Sequence, residues 1–325
     1  MNDKKEIYNE KRTVLLFFMI PTIMLIFGYF VYPFVHPSPS TEIANIVLQI
    51  PIFLGLILLG IGFFWKNKNN GRKIKITGWF VFALYWSMMP MYLYLEELGD
   101  VFNGVVCVIG VYVLIYIAYH EWLSLKGYDD VTCLNWTAGA AFIAGIIYFT
   151  IESEQIIPVV RDFLIKSVAY ESAWFLNLFG ANAYVSVNGN DAAVVYNSYP
   201  ISIIFACTAI QAMTLFAGMI GALYRADWKR KAFALLITIL PMYVLNFVRT
   251  SSVIYLVAGN VTSFEIAHNV LSKMGALITL IVLLFVTFKI LPELFDEIMC
   301  IIDLPKRNGP IERFFRRYFG RKKKA

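Results

Sequence analysis

Residues 201–223 read ISIIFACTAIQAMTLFAGMIGAL, a run without a single charge, interrupted only by Ser202, Cys207, Thr208, Gln211 and Thr214. A helix needs ~20 consecutive, mostly apolar residues to cross a hydrocarbon core at ~1.5 Å per residue. The stretch therefore predicts a membrane span. Working outward from it, the same test finds seven more runs, near 14–35, 45–65, 77–95, 101–119, 131–151, 232–258 and 265–290. Period-2 alternation is nearly absent from them, which argues for helices rather than a barrel. The 325 residues are 59% hydrophobic and only 15% charged, with a mean hydropathy of +0.66, well above a soluble domain of this size. The expected fold class is all-α integral membrane: about eight transmembrane helices, with an extracytoplasmic loop containing an amphipathic helix and a short hairpin. The first run is too long for the ~7–15-residue core of a cleaved signal peptide and lacks a small-residue cleavage site, so it reads as a retained anchor.

Charge orients the spans. Lys66, Lys68, Arg72, Lys73 and Lys75 follow the second run; Arg225, Lys229, Arg230 and Lys231 follow the sixth; Arg313, Arg316, Arg317, Arg321, Lys322, Lys323 and Lys324 follow the eighth. All lie after even-numbered spans, so the positive-inside rule places both termini in the cytoplasm. The stretches from His36, Glu96 and Gly259 carry no Lys or Arg and face outward. HEWLSLKGYDD, from His120, is net acidic where a cytoplasmic loop is expected; acidic residues count little in this rule. The net charge of +6 sits in these clusters and in the aromatic, basic tail, where it meets anionic lipid. Nucleic acid is not an expected partner.

The expected organisation is a five-span region at 1–151, an extracytoplasmic loop at 152–200, a three-span catalytic region at 201–290 and a basic cytoplasmic tail at 291–325. Within the loop, Ile156, Val160, Phe163, Leu164, Val168 and Trp174 recur against Asp162, Lys166 and Glu171. That pattern predicts a helix lying along the membrane surface and ended by Gly180. AYVSVNGNDAAVVY, from Ala183, holds two β-prone runs around Asn188-Gly189-Asn190 and reads as a hairpin or as a solvated loop.

Cys107, Cys133, Cys207 and Cys300 show no C-x-x-C spacing, which argues against a zinc site or a dithiol motif. No disulfide framework is expected, and Cys107, Cys133 and Cys300 read as small buried hydrophobes. No metal or cofactor is implied. Cys207 differs by its surroundings. If 201–223 is one helix entering from outside, Cys207 lies about 10 Å below the outer surface and Gln211 one turn deeper on the same face. The seventh span carries Arg249 roughly nine residues before its outer end, with Asn246 one turn earlier on the same face and Pro241 as a candidate kink. His268 and Asn269 fall in the first turn of the eighth. An arginine inside a span costs ~2.5–3.5 kcal/mol on insertion scales and persists where it faces the protein interior or a wet cavity; snorkelling to the interface is the alternative. A thiol, a guanidinium and an imidazole thus come to similar depth. An apolar site disfavours a thiolate unless a cation is near, Arg249 can also meet an oxyanion, and His268 can move a proton near neutral pH. This combination suits acyl transfer through a thioester.

At these residues the chain resembles the exosortase and archaeosortase family, closest to its archaeal branch through Thr208 and Gln211. The resemblance is carried by Ala206-Cys207-Thr208, by Pro241 with Asn246 and Arg249, and by Ala267-His268-Asn269, within residues 201–275. The family usually has Gly where this chain has Ala209, and often Ser where it has Ala212. The resemblance implies a membrane-embedded cysteine peptidase and transpeptidase with Cys207, Arg249 and His268 as catalytic residues. Thr208, Gln211, Asn246 and Asn269 form the expected substrate-binding set. Implied partners are C-terminal sorting signals of exported surface proteins, each a short motif, a transmembrane helix and a basic cluster, and membrane lipids, one of them as a candidate acceptor for the new C-terminus. The competing readings are a transporter, which would place polar residues at the midplane of paired repeats, a thiol oxidoreductase using Cys107, and a structural subunit indifferent to all three residues.

Overall fold

The computed structural model describes residues 2–35, 42–95, 101–128 and 130–319; the side chain of Asn269 lies outside that description, as do the stretches His36–Thr41 and Glu96–Asp100 and the last six residues of the basic tail. The chain is mostly helical and divides into two compact units, residues 1–142 with 297–325, and residues 143–296.

The first unit contains α1 (Asn2–Val35), α2 (Glu42–Phe64), α3 (Lys68–Leu95), α4 (Val101–Leu125), the start of α5 (Cys133–Glu152), the end of α10 (Pro292–Ile302) and α11 (Pro310–Phe319). α3 packs against α1, α2 and α4. Gly55 of α2 lies against the Phe82 backbone so closely that any side chain there would collide with it, which lets the two helices approach. The acidic stretch from His120 is largely not a loop. His120 and Glu121 lie inside α4, 1% and 0% exposed. Glu121 pairs with buried Lys75 at 2.7 Å, and Asp130 pairs with Arg72 and Lys68. Those acids neutralise part of the α3 basic cluster, which accounts for acidity beside a positive cluster. Outside the spans, α11 docks through Glu312, which accepts a hydrogen bond from Tyr116 at 2.5 Å and lies 3.2 Å from His120 Nε2.

The expectation for the cysteines fails here. Cys133, the first residue of α5, and Cys300 of α10 form a disulfide with Cα atoms 6.1 Å apart, across 167 residues of sequence. Sequence spacing does not reveal such a pair because only the fold brings its two ends together. Neither Cys107 nor Cys207 takes part in it.

The second unit holds the rest of α5, α6 (Pro158–Asn177), β1 (Tyr184–Asn188), β2 (Asp191–Tyr196), β3 (Tyr199–Ile203), a 3₁₀ turn (Phe205–Thr208), α7 (Ile210–Gly221), α8 (Trp228–Ala258), a π-helical turn (Glu265–Ser272) and α9 (Lys273–Ile290). The strands form one antiparallel sheet in the order β1-β2-β3. β1 and β2 turn at Gly189-Asn190; β2 and β3 turn at Asn197-Ser198, with φ of 50° and 61°, the left-handed pair that a two-residue hairpin needs. α6 has two apolar faces, one against the protein and one exposed. Ile165, Val168, Ala169, Ser172, Ala173 and Leu176 are buried, while Val159, Phe163, Tyr170 and Trp174 form an exposed bulky apolar face on the opposite side. The sequence pattern mixed two faces because both are apolar; small and aliphatic residues choose the tight protein contact.

Among the described residues, five helices are long and apolar enough to cross a membrane: Glu10–Val31, Val101–Leu125, Cys133–Glu152, Trp228–Ala258 and Glu265–Ile290. The stretch 201–223 is not one helix. Its first residues belong to β3, its middle is the 3₁₀ turn, and only Ile210–Gly221 is α-helical. The alternation in Tyr199–Ile203, with Ile201 and Ile203 buried and Ser202 exposed, is a strand pattern hidden by the apolar composition around it. Consequently Gln211 does not sit one helical turn below Cys207.

Candidate active site

The chain reaches Cys207 from β3. Ile204 is extended (φ −105°, ψ 168°), and its carbonyl accepts the Cys207 N–H at 2.8 Å, closing the 3₁₀ turn. Thr208 is buried and donates its hydroxyl to the Phe205 carbonyl at 2.7 Å. Ala209 then adopts the left-handed conformation (φ 56°, ψ 9°) and starts α7, its carbonyl accepting from Met213 at 3.0 Å. That conformation costs a Cβ-bearing residue ~1–2 kcal/mol and a glycine almost nothing. The break at Ala209 re-aims the chain so that Cys207 sits in a corner between strand and helix.

That corner is held from two sides. Phe205 belongs to one buried cluster with Ala169 and Ala173 of α6, Val194 and Ile203 of the sheet, Val253, Ile254 and Val257 of α8, and Ala267; Cys207, half-buried, packs against it. From α8, Asn246 donates Nδ2 to the Cys207 carbonyl at 2.7 Å. Arg249, one turn further along α8, lies within electrostatic range of both Cys207 and His268, and its Nε is buried without a hydrogen-bond partner among the described residues. His268 sits in the π-helical turn, stacked on Phe264 with ring centroids 5.1 Å apart and planes 7° from parallel. π-helical turns re-aim side chains and recur at functional sites.

Cys207, Arg249 and His268 thus come from three elements into one neighbourhood. A thiol, a cation and an imidazole are the residue types that nucleophilic attack, oxyanion stabilisation and proton transfer use. A cavity of about 450 Å³ opens between α7, α8 and α9, with Asn246, Arg249 and Gln211 on its wall beside Ala206 and Ala209, the neighbours of the cysteine turn. Cys207, Thr208 and His268 are not wall residues. Gln211 is exposed, and the backbone of Asn269 lies in the π-helical turn.

A family model described as transmembrane exosortase matches residues 46–287. The chain belongs to the transmembrane exosortase family. It is a membrane protein, as that family and its apolar helices require. An archaeosortase A of Haloferax volcanii is 22% identical over 277 residues, covering 76% of this chain and 89% of the relative. An archaeosortase A of Natronomonas pharaonis is 23% identical over 306 residues, covering 83% and 91%. No solved structure matches the chain.

Sequence reasoning missed part of what surrounds this exosortase-family site. Ser252 follows Arg249 by three residues and Asn246 by six, so the i, i+3 spacing on α8 already marked one face. Ser272, Gly275, Ala276 and Thr279 line the cavity from the other side at the same kind of spacing. Arg161, placed over the Phe205 ring at 6.0 Å to its centroid, had no local signal.

Proposed function

We propose that this chain is a membrane-embedded cysteine peptidase and transpeptidase that recognises C-terminal sorting signals of exported surface proteins, cuts them through a thioester on Cys207 and passes the new C-terminus to a lipid acceptor. The convergence of Cys207, Arg249 and His268 carries the reading, supported by membership of the exosortase family and by likeness to proteins named archaeosortase A. The Cys207 thiolate attacks the scissile carbonyl carbon, forming a C–S bond and an oxyanion that Arg249 meets with its N–H groups. As the C–N bond breaks, His268 gives a proton to the departing amine. An acceptor amine or hydroxyl then attacks the thioester, yields its proton to His268 and releases the thiolate.

In this reading α2, α3 and α7 cross together with the five longer helices, giving eight passages with both termini cytoplasmic. In the same reading the broken stretch before α7, and Cys207 with it, lies in the outer leaflet; irregular backbone at that depth is tolerated only against protein or a wet cavity. Residues 152–200 form the extracytoplasmic loop, with the exposed apolar face of α6 on the membrane surface, and Thr208, Gln211, Asn246 and Asn269 contribute to substrate binding or its support. The test is to trap the thioester with a co-expressed tagged surface protein. A hydroxylamine-labile adduct with the wild type, absent from Cys207→Ala, is expected; undiminished processing by Cys207→Ala overturns the reading.

A further inference from the structure

Two residues on the wall of the α7–α8–α9 cavity carry complementary atoms that the fold leaves unmatched. Asn246 is only 4% exposed, and its Oδ1, an acceptor, has no partner among the described residues. Its orientation is fixed: Nδ2 must face the Cys207 carbonyl, since two oxygens would repel, so Oδ1 is left for something else. Arg249, one turn on, leaves its Nε–H buried and unmatched in the same way, and both residues line the same cavity. Buried donors and acceptors are normally satisfied, so an acceptor and a donor on side chains whose Cβ atoms lie about 5–6 Å apart on one helix face describe the group that completes them. In an extended chain the N–H and C=O of a single residue point to the same side.

We propose that Asn246 and Arg249 together read the N–H and C=O of one substrate residue held in extended conformation, with Asn246 Oδ1 accepting the N–H and Arg249 Nε donating to the carbonyl. The neighbouring apolar side chain of the substrate fills the cavity. Asn246 then has two jobs: Nδ2 sets the cysteine turn and Oδ1 sets the substrate against it, so nucleophile and acyl group are registered by one amide. A bare phosphate offers only acceptors and would face Oδ1 unfavourably. A phosphoethanolamine headgroup offers both kinds of group, but it would bury charge against a neutral amide, and the group next to the nucleophile's own carbonyl must be the acyl donor. The inference rests on the peptidase reading above.

The test uses full-length Cys207→Ala protein in nanodiscs, which keeps the Asn246 bond to the main chain. The probe is a fluorescent peptide carrying a complete C-terminal sorting signal of a surface protein from the same organism, made as a series in which each motif N–H is replaced in turn by an ester oxygen. One ester position is expected to weaken binding about 10-fold, and that penalty is expected to shrink below about twofold when Asn246→Ala is added, as a double-mutant cycle requires. If Asn246→Ala fails to insert, Asn246→Ser, whose hydroxyl stops short of the Oδ1 position, must shrink the penalty in its place. An insensitive series, an unchanged penalty in whichever of these variants inserts, or absence of peptide binding overturns the proposal. Ester-insensitive binding with competition by phosphoethanolamine lipid also overturns it and assigns the pair to a headgroup. Cleavage by the wild type is measured separately: an ester-coupled peptide that is never cut sinks the peptidase reading and leaves this site standing, whereas cleavage without coupling sinks only this inference.

Discussion

Asn246 Nδ2 holds the Cys207 carbonyl at 2.7 Å, and two residues after that carbonyl the chain reverses through Ala209 at φ 56°. The cysteine is therefore placed by a side chain of α8 and by a strained backbone, rather than by continuation of a helix. Ala209→Gly relieves the left-handed penalty and is expected to raise stability by about 1 kcal/mol. Ala209→Val should lower stability and processing together, because a β-branched residue is a poorer fit to that conformation. Thermal unfolding of the purified proteins in detergent reads the first effect; a lower Tm for Ala209→Gly would show that the turn is not under this strain.

The four cysteines separate by role. Cys207→Ala is expected to abolish processing with insertion unchanged, whereas Cys107→Ala is expected to process normally. In purified protein kept oxidised, Cys133→Ala and Cys300→Ala should each lose about 2–4 kcal/mol of stability, the usual range for losing a disulfide, and the double variant no more than either single one; in the proposed orientation the pair faces the cytoplasm, where thiols are kept reduced. Additive losses would mean that the two residues contribute separately rather than as a bond.

The fold was legible in proportion to how far each signal is local. Long apolar runs such as Val101–Leu125 declared themselves by length alone. Residues 201–223 misled because a strand, a turn and a short helix can all be apolar inside a membrane protein, and only the Ile201-Ser202-Ile203 alternation betrayed the strand. The cluster of Cys207, Arg249 and His268 was readable from depth counted along three helices, even though the first of those helices is broken. The pairing of Cys133 with Cys300 and the placing of Arg161 over Phe205 depend on tertiary contacts, which leave no periodicity in the chain.

α11 should respond to acid. Burial works to raise the Glu312 carboxyl, but the contacts from His120 and Tyr116 outweigh it and hold Glu312 below the ordinary value of 4.5. A carboxylate lowered on folding contributes stability above its unfolded value and loses it as pH falls through the folded one. Docking of α11 is thus expected to be intact at about pH 6 and to weaken below about pH 4.5. Hydrogen-exchange protection of α11 amides, corrected for intrinsic rates, should fall in that window in the wild type and show little dependence on it in Glu312→Gln. Equal acid sensitivity in both proteins would assign the effect to other groups.

Sidedness is tested by labelling in a background without reactive native cysteines. Cysteines introduced at Gly189 and Thr262 are expected to react with an impermeant maleimide in whole cells, and those at Asn69 and Asp227 only after lysis. Gly189 has a φ of 62° and Asp227 caps α8 by accepting from the Lys229 N–H, so cysteine at either carries a local cost and membrane insertion is checked for every variant. The reverse pattern would put Cys207 on the cytoplasmic side, where a role in sorting exported proteins has no substrate.

Arg249→Lys is the sharpest test of the chemistry, because it keeps the charge and removes the geometry. A guanidinium presents several N–H donors in a rigid fork, so one edge can stay with the thiolate while another meets the oxyanion. With the buried Nε given to the substrate main chain, the terminal N–H groups of the guanidinium remain for the thiolate and the oxyanion, and an ammonium on a flexible stem cannot serve all of them. It would instead extend toward water, as lysines in apolar surroundings do. Loss of one oxyanion donor typically costs ~10²–10³ in turnover, and Arg249→Lys is expected to fall in that range, close to Arg249→Ala. His268→Ala should slow processing less where water or the acceptor can carry the proton. The measurement is processed substrate per unit of membrane-inserted enzyme, with Leu236→Ala, on an exposed side of the same helix, run alongside to detect a general disturbance of α8. Near-normal turnover in Arg249→Lys would show that positive charge beside Cys207 suffices, and the oxyanion role assigned to the guanidinium would have to be given up.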